Sequence, residues 1–542
     1  MKSKPAKKRS APRRAGAPCP KENARECHAS RAPGGPLSIV VVGASGDLAL
    51  RKIYPALFAL YGQGYLPDGF HVMGVARTEF TDASFRRHLS SSLACRFKPG
   101  ASCGRLSDEF LGRCSYCQGA YDAPETYREL GRRLAAMEGG AADARRLYYL
   151  AIPSTVYPSV IRGLAAAGLS RPGGGWARVV LEKPFGRDRA SSDEMIRVLD
   201  AVFRPDQVYR IDHYLGKQVV QNLMVLRFAN LIFEPIWNRS HIAGVQITWK
   251  EDIGVGRRGG YFDEYGIIRD VMQNHLLMIL GLVAMEPPVR NEPRLVSDEL
   301  AKVFCSIPPP AMEDAALGQY DRSPAGPGYR EEPLVAPGSL TPTCAAVALE
   351  IRNRRWAGVP FLIRAGKALD SCLTEVRVRF QDVPANVFCR DVKCLPANEM
   401  VIRVQPNAAI TLRITNKVPG LDLALAQSDL DLTYSRTFNV AMPEAYESLL
   451  LDAIEGDQGL FVDADVLAAA WDVFTPLLHE MERRRPEPER YPFGGQWPDC
   501  VGLLARRHGV EWAETEDLGF VQDNTLTKGL AHAEKASGRK QH

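Results

Sequence analysis

Polar side chains of several kinds crowd into one short run, Arg210-Ile211-Asp212-His213-Tyr214-Leu215-Gly216-Lys217, just past a strand-like segment. His213, Tyr214 and Lys217 are all hydrogen-bond donors, a set that suits a phosphate dianion. Asp212 cannot serve that anion, because like charges repel, but it could orient a histidine. His275, within Asp270-Val271-Met272-Gln273-Asn274-His275 of an apolar helical stretch, supplies one. Taken alone, such a histidine is more often a satisfied core residue. Lys183, in Glu182-Lys183-Pro184-Phe185-Gly186, closes a buried strand. Ligands of open α/β sheets gather at such strand ends, so Lys183 can touch cofactor and substrate together; a plain turn lysine is the alternative.

A second kind of chemistry is written nearer the start. Gly43-Ala44-Ser45-Gly46-Asp47-Leu48-Ala49-Leu50 lies between a buried strand and an amphipathic helix. Glycines there permit a tight turn and close backbone approach to a pyrophosphate, and the following helix offers free amides and a favourable dipole. The second glycine comes three positions after the first, and Ala49 holds the third small position, so the spacing departs from the commonest dinucleotide fingerprint. The second strand ends at Arg77 where an NAD enzyme would carry a ribose-binding carboxylate. A guanidinium fork suits a 2′-phosphate, which favours NADP. Asp82, five residues on, is the weaker ribose ligand.

The elements that must hold these residues follow from hydrophobic patterning. Short β-branched runs at 37–42, 70–75, 147–152, 178–182 and 207–211 read as buried strands. Helical stretches at 48–61, 83–94, 156–167 and 192–203 alternate with them, which predicts a parallel sheet with right-handed crossovers. Residues 96–124 read as a loop or insertion. After Asp212 the rhythm changes. Helices are predicted at 218–228, 267–285, 444–454 and 463–483, and strands at 244–250, 345–351, 361–364, 375–380, 400–404 and 410–414. Strands without intervening helices predict an antiparallel sheet, and residues 306–343 a long surface connection. The expected fold class is therefore an α/β Rossmann-type doubly wound domain at 37–211, followed by a larger α+β domain at 212–542 with a big, mostly antiparallel sheet.

Composition is that of a folded globular chain, with 45% apolar and 24% charged residues among 542. No run of eighteen or more apolar residues occurs, so no membrane span is expected. The net charge of +5 is unevenly placed. Residues 1–36 carry ten Lys/Arg against Glu22 and Glu26, so the remainder is slightly acidic. The arm lacks the apolar side chains needed to offset ordering entropy and is expected to be disordered. It also lacks a secretory apolar core, so export is not expected and reduced thiols in a cytoplasmic setting are the default, organellar targeting by the arm remaining open. Cys114 and Cys117 form a lone CxxC without the partners a zinc site needs, and no metal is expected.

GASGDLA at 43–49, EKPFG at 182–186, RIDHYLGK at 210–217 and YFDEYGIIRDVMQNHLL at 261–277 together resemble the glucose-6-phosphate dehydrogenase family. VQNLMVLRFAN at 220–230, VPFLIRAGKAL at 359–369 and VIRVQPN at 401–407 extend the likeness to about residues 37–500. The resemblance implies oxidation of glucose 6-phosphate at C1 with NADP, the entry to the pentose phosphate pathway. It implies His275 as general base with Asp212 as its carboxylate partner, and His213, Tyr214, Leu215, Gly216 and Lys217 at the sugar phosphate. Lys183 would bridge substrate and nicotinamide, Glu251, Asp270, Lys367 and Gln405 would bind the hexose, and residues 43–50 with Arg77 and Tyr149 would hold NADP. It further implies a homodimer or homotetramer built on the large sheet. A nucleic-acid partner is not expected, although the basic arm leaves room for one or for an acidic partner. Some members hold a second, structural NADP; Arg364, Arg377, Arg403 and Arg413 could serve here, although Cys372, Leu373 and Gln496 stand where basic side chains are expected. Gln218 replaces a carboxylate beside Lys217, which removes one charge that would repel an anion.

Overall fold

The computed structural model describes residues 34–93, 102–171, 173–388, 396–421, 423–438 and 442–512. Most of the basic arm, residues 1–33, therefore lies outside the described residues. Two compact units emerge. One runs to Asn230 and also takes Leu277–Cys305 and Tyr434–Thr475; the other holds Leu231–Leu276, Ser306–Thr433 and the chain from Pro476.

The first unit is built on six strands: β1 (Leu37–Val42), β2 (Phe70–Ala76), β3 (Cys114–Gln118), β4 (Arg145–Leu150), β5 (Trp176–Glu182) and β6 (Val208–Ile211). They pair in the order β3-β2-β1-β4-β5-β6, parallel throughout. All six residues of β1 are buried, as a strand covered on both faces requires. The strand order reverses between β1 and β4, which opens a crevice at their carboxyl ends. The helix Ala445–Glu455, far along the chain, returns to this unit and adds Leu449, Leu450 and Ala453 to its core.

The second unit carries nine strands: β7 (Ile242–Lys250), β8 (Ala315–Asp321), β9 (Cys344–Glu350), β10 (Pro360–Gly366), β11 (Leu373–Phe380), β12 (Glu399–Gln405), β13 (Ala409–Lys417), β14 (Leu425–Thr433) and β15 (Glu489–Pro492). Their order is β14-β13-β12-β11-β7-β10-β9-β8-β15. The sheet is mixed: β7 with β10 and β8 with β15 run parallel and the other pairings antiparallel. The stretch Gly256–Ala284 has the length and hydropathy of a membrane span, but 94% of its apolar window is buried inside the protein, as in a core helix.

Three expectations are corrected. Residues 96–124 are not simply a loop, because they contain the helix Ser102–Gly112 and the edge strand β3, whose Cys114 and Cys117 are buried and pack as small apolar side chains. Residues 306–343 contain β8, which pairs with both β9 and β15. Cys103 is disulfide-bonded, a departure from the reduced thiols expected, whereas Cys114, Cys117, Cys305, Cys344, Cys372 and Cys500 are free thiols.

Candidate active site

In the first unit, Gly43 ends β1 at φ +90°, and a Cβ there would sit 2.3 Å from the Ala151 carbonyl oxygen just past β4. Only glycine fits, and the missing side chain leaves the crevice open for a phosphate to approach the backbone. The turn is fixed by N–H bonds from Gly43 and Ala44 to the Val75 carbonyl and from Gly46 to Gly43. A helix then begins at Ala49. At the end of β2, Arg77 is exposed, its guanidinium 5.7 Å from the centre of the Tyr121 ring. Beside it, Thr78 shares a 2.8 Å hydroxyl contact with Ser45 of the glycine turn. Asp82 is committed elsewhere: it accepts from the Tyr116 backbone N–H at 2.7 Å and faces Arg133. With that carboxylate engaged and an exposed guanidinium beside a pair of hydroxyls, the turn fits a dinucleotide bearing a 2′-phosphate.

At the carboxyl end of β5, Glu182 is buried and Lys183 half-buried. The Tyr149 hydroxyl donates to the Glu182 carboxyl, and Tyr157 brackets the Glu182 backbone, donating to its carbonyl at 2.8 Å and accepting from its N–H at 3.1 Å. Past β6, Asp212 is only 1% exposed, and its Oδ1 accepts the Tyr214 N–H at 3.0 Å. His213 and Lys217 are half-buried, and Lys217 places Nζ 4.8 Å from the centre of the Tyr214 ring. Gly216 is pinned against Ala445, where a Cβ would lie 2.7 Å from the carbonyl oxygen. The helix Gln218–Phe228 starts immediately after Lys217, so its free N–H groups face the same loop. A cationic and hydroxyl-bearing loop at a helix start suits a phosphate.

In the second unit, Lys367 donates to Glu251 at 2.6 Å, with its ammonium 5.0 Å from the Trp249 ring centre. Asp270 and His275 share the π-helical turn Ile268–Leu276, and both are buried. Such turns recur at functional sites because they displace side chains from regular helical positions. Asp270 accepts from the Tyr261 hydroxyl at 3.3 Å, and the His275 N–H bonds the Asn274 side chain. Gln405 stands at the end of β12, half-buried. Of the four arginines considered for a second nucleotide, three are matched by carboxylates. Arg377 binds Glu375 and Glu399, Arg403 faces Glu375, and Arg413 faces Glu399 and Asp429. Arg364 instead lies between Trp497 and Trp512, on the wall of a cavity of about 580 Å³, and burial lowers its pKa to about 9. Sequence reasoning missed Tyr446, Tyr157 and the Lys250–Asp370 pair, at 2.8 Å. None lies within the motifs that drew attention.

Strand order, glycine turn and Arg77 together define a nicotinamide-dinucleotide oxidoreductase of the Rossmann type. Residues 40–222 match the family model for the NAD binding domain of glucose-6-phosphate dehydrogenase and residues 224–513 that for its C-terminal domain. The chain belongs to the glucose-6-phosphate dehydrogenase family. Among its relatives, glucose-6-phosphate 1-dehydrogenase 3, chloroplastic, of Arabidopsis thaliana is 49% identical over 88% of this chain and 80% of its own length. The cytoplasmic glucose-6-phosphate 1-dehydrogenase 5 of the same plant is 45% identical over 88% and 93%. A solved glucose-6-phosphate dehydrogenase in complex with glucose 6-phosphate is 41% identical, with a TM-score of 0.83, covering 89% of this chain and all of that one. The enzyme of Mycobacterium avium follows at 33% identity and a TM-score of 0.75, covering 89% and 99%.

Proposed function

We propose that the protein oxidises D-glucose 6-phosphate at C1 to 6-phospho-D-glucono-1,5-lactone, with NADP as the acceptor. The observation that carries this reading is family membership across both units with the motif around Asp212 and the segment around His275 intact. NADP, held by the turn 43–50 with Arg77, supplies the hydride acceptor. His213, Tyr214 and Lys217 bind the sugar phosphate, with Leu215 and Gly216 in the same loop. Glu251, Asp270, Lys367 and Gln405 bind the sugar hydroxyls. Lys183 donates to the substrate beside the nicotinamide. His275 accepts the proton of the anomeric hydroxyl as C1 loses hydride, and Asp212 sets its tautomer and stabilises the imidazolium. Negative charge leaves C1 with the hydride, so the reaction builds no oxyanion that would have to be held. The test is absorbance of the reduced cofactor. Glucose 6-phosphate is expected to support turnover at low concentration, and free glucose only far above it. Equal efficiency on the two would overturn the assignment of the phosphate loop.

We also propose that the chain self-associates, as a homodimer or homotetramer, through the edge of the large sheet. Among the described residues, strand β14 pairs only with β13, is exposed over most of its length and carries Leu430, 56% exposed. An exposed edge strand of this length is a template for pairing unless a partner covers it. Sedimentation of the purified protein is expected to give at least twice the 59.8 kDa chain mass. A monomer at micromolar concentration would remove the proposal.

A further inference from the structure

Glu182 is a buried carboxyl at the head of the parallel sheet to which the reading above gives no part. Its surroundings are unusual. Tyr149, from β4, and Tyr446, from the helix Ala445–Glu455, both hydrogen-bond its carboxyl group through their hydroxyls. Tyr157 clamps its backbone on both sides. The Tyr446 ring in turn stacks on His213, with centroids 6.1 Å apart and planes 12° from parallel. One side chain thus ties together the tyrosine beside the dinucleotide crevice, the strand end bearing Lys183, and the ring that supports the sugar-phosphate loop.

We propose that Glu182 is a positioning residue for the sugar-phosphate site: its ionised carboxylate holds the Tyr446 hydroxyl, and so fixes the ring on which His213 rests. This rests on the phosphate loop assigned above. The chemistry follows from donor and acceptor counting. A carboxylate only accepts, so it satisfies two tyrosine hydroxyls at once. Once one of its oxygens is protonated, that oxygen carries a donor, and a hydroxyl that donated to it loses its acceptor in a buried place. Tyr149 and Tyr446 are 0% and 8% exposed, so water offers no ready substitute. The two forms of Glu182 therefore hold Tyr446 differently, and His213 with it.

The groups facing Glu182 set where that change falls. Burial pushes its pKa up to about 7, against the hydrogen bonds from Tyr149 and Tyr446 and the charge of Lys183, with Asp212 adding to the rise. Tyr157 meets only its backbone. An acid with a raised pKa is protonated below that value and ionised above it, so the holding form is lost as pH falls through about 7. The sugar phosphate also titrates in this range, so the wild-type profile alone is not diagnostic.

Glutamine imitates the protonated form, because it offers one acceptor oxygen and two donor hydrogens. Glu182→Gln is expected to raise KM for glucose 6-phosphate about tenfold at pH 8, the effect of one hydrogen bond to a charged group, with a smaller change in kcat. The ratio of variant to wild-type KM then falls toward one at pH 6, and the titration of the substrate cancels in that ratio. Tyr446→Phe keeps the ring and loses the hydroxyl; it is expected to raise KM for glucose 6-phosphate in the same direction and leave KM for NADP unchanged. It also carries the test if the glutamine variant fails to fold. A KM ratio that does not change between pH 6 and 8, or a Tyr446→Phe enzyme with wild-type KM, would overturn the inference. A wild-type protein without glucose 6-phosphate turnover would instead remove the reading on which it rests.

Discussion

Replacing His275 by Asn lowers kcat by about 10²–10⁴-fold, the ordinary worth of a positioned general base, and leaves KM for glucose 6-phosphate within a few-fold. Asparagine keeps the side-chain volume near that of imidazole and retains a polar tip, so the buried π-helical turn that carries residue 275 is not emptied. What it loses is a nitrogen that can accept a proton at neutral pH. The sugar phosphate is held by His213, Tyr214 and Lys217, on another segment, and its binding does not depend on the base. The split between kcat and KM therefore separates loss of chemistry from loss of binding. Steady-state rates with purified variant decide it. Retention of more than about a tenth of wild-type kcat would remove His275 from the role, given the size expected for such catalysis.

The parts of this site that could be read from the sequence share one physical property: each was announced by local pattern. Strands buried on both faces are continuous apolar runs, so β1, β2, β4, β5 and β6 stood out, and the chemistry at their carboxyl ends could be placed by counting to the next residue. The glycine turn, Arg77, Lys183 and Asp212 all follow a strand directly, and the structure finds them there. Strand β3 was hidden because CSYCQ has no apolar run; its place is fixed by pairing with β2, from Val72 with Cys114 to Ala76 with Gln118. Strand β8 was hidden in a stretch rich in proline and glycine, and gains its register from β9 and β15. The same holds for the two parallel pairings within the large sheet, since strand direction is set by connections rather than by composition.

Tyr446 shows the same limit for the site itself. Nothing in Pro443-Glu444-Ala445-Tyr446 suggests a functional tyrosine. Its contact with Glu182 and its stacking on His213 arise because the helix Ala445–Glu455 packs its Leu449 and Leu450 into the core of the first unit. The close approach of Gly216 to Ala445 seats that helix against the phosphate loop. Hydrophobic packing between distant segments placed the ring, and no motif records such packing. The arginines of the large sheet teach the reverse lesson. Counted in sequence, Arg364, Arg377, Arg403 and Arg413 look like a basic cluster; in space Glu375, Glu399 and Asp429 neutralise three of them. Alternation along β11, β12 and β13 sets acids and bases on the same face, and charge that is internally paired offers little to an anion.

Arg77→Ala raises KM for NADP by about 10–100-fold and changes KM for NAD by less than about threefold, the range expected when charge-assisted hydrogen bonds to one phosphate are lost. Asp82 is not available for the ribose hydroxyls, because it is engaged by the Tyr116 amide and faces Arg133; the carboxylate nearest Arg77 in the chain is the exposed Glu79. What faces the crevice is a guanidinium resting over Tyr121, with the Ser45 and Thr78 hydroxyls beside it. A planar fork held over a ring is pre-organised, so little rotamer entropy is spent when a phosphate arrives. NAD has no phosphate at that position, so removal of the cation costs it little. Saturation curves for both cofactors at fixed glucose 6-phosphate measure the two constants. Equal rises would mean that Arg77 supports the adenosine rather than its phosphate. An unchanged constant for NADP would shift the selectivity to Ser45 and Thr78.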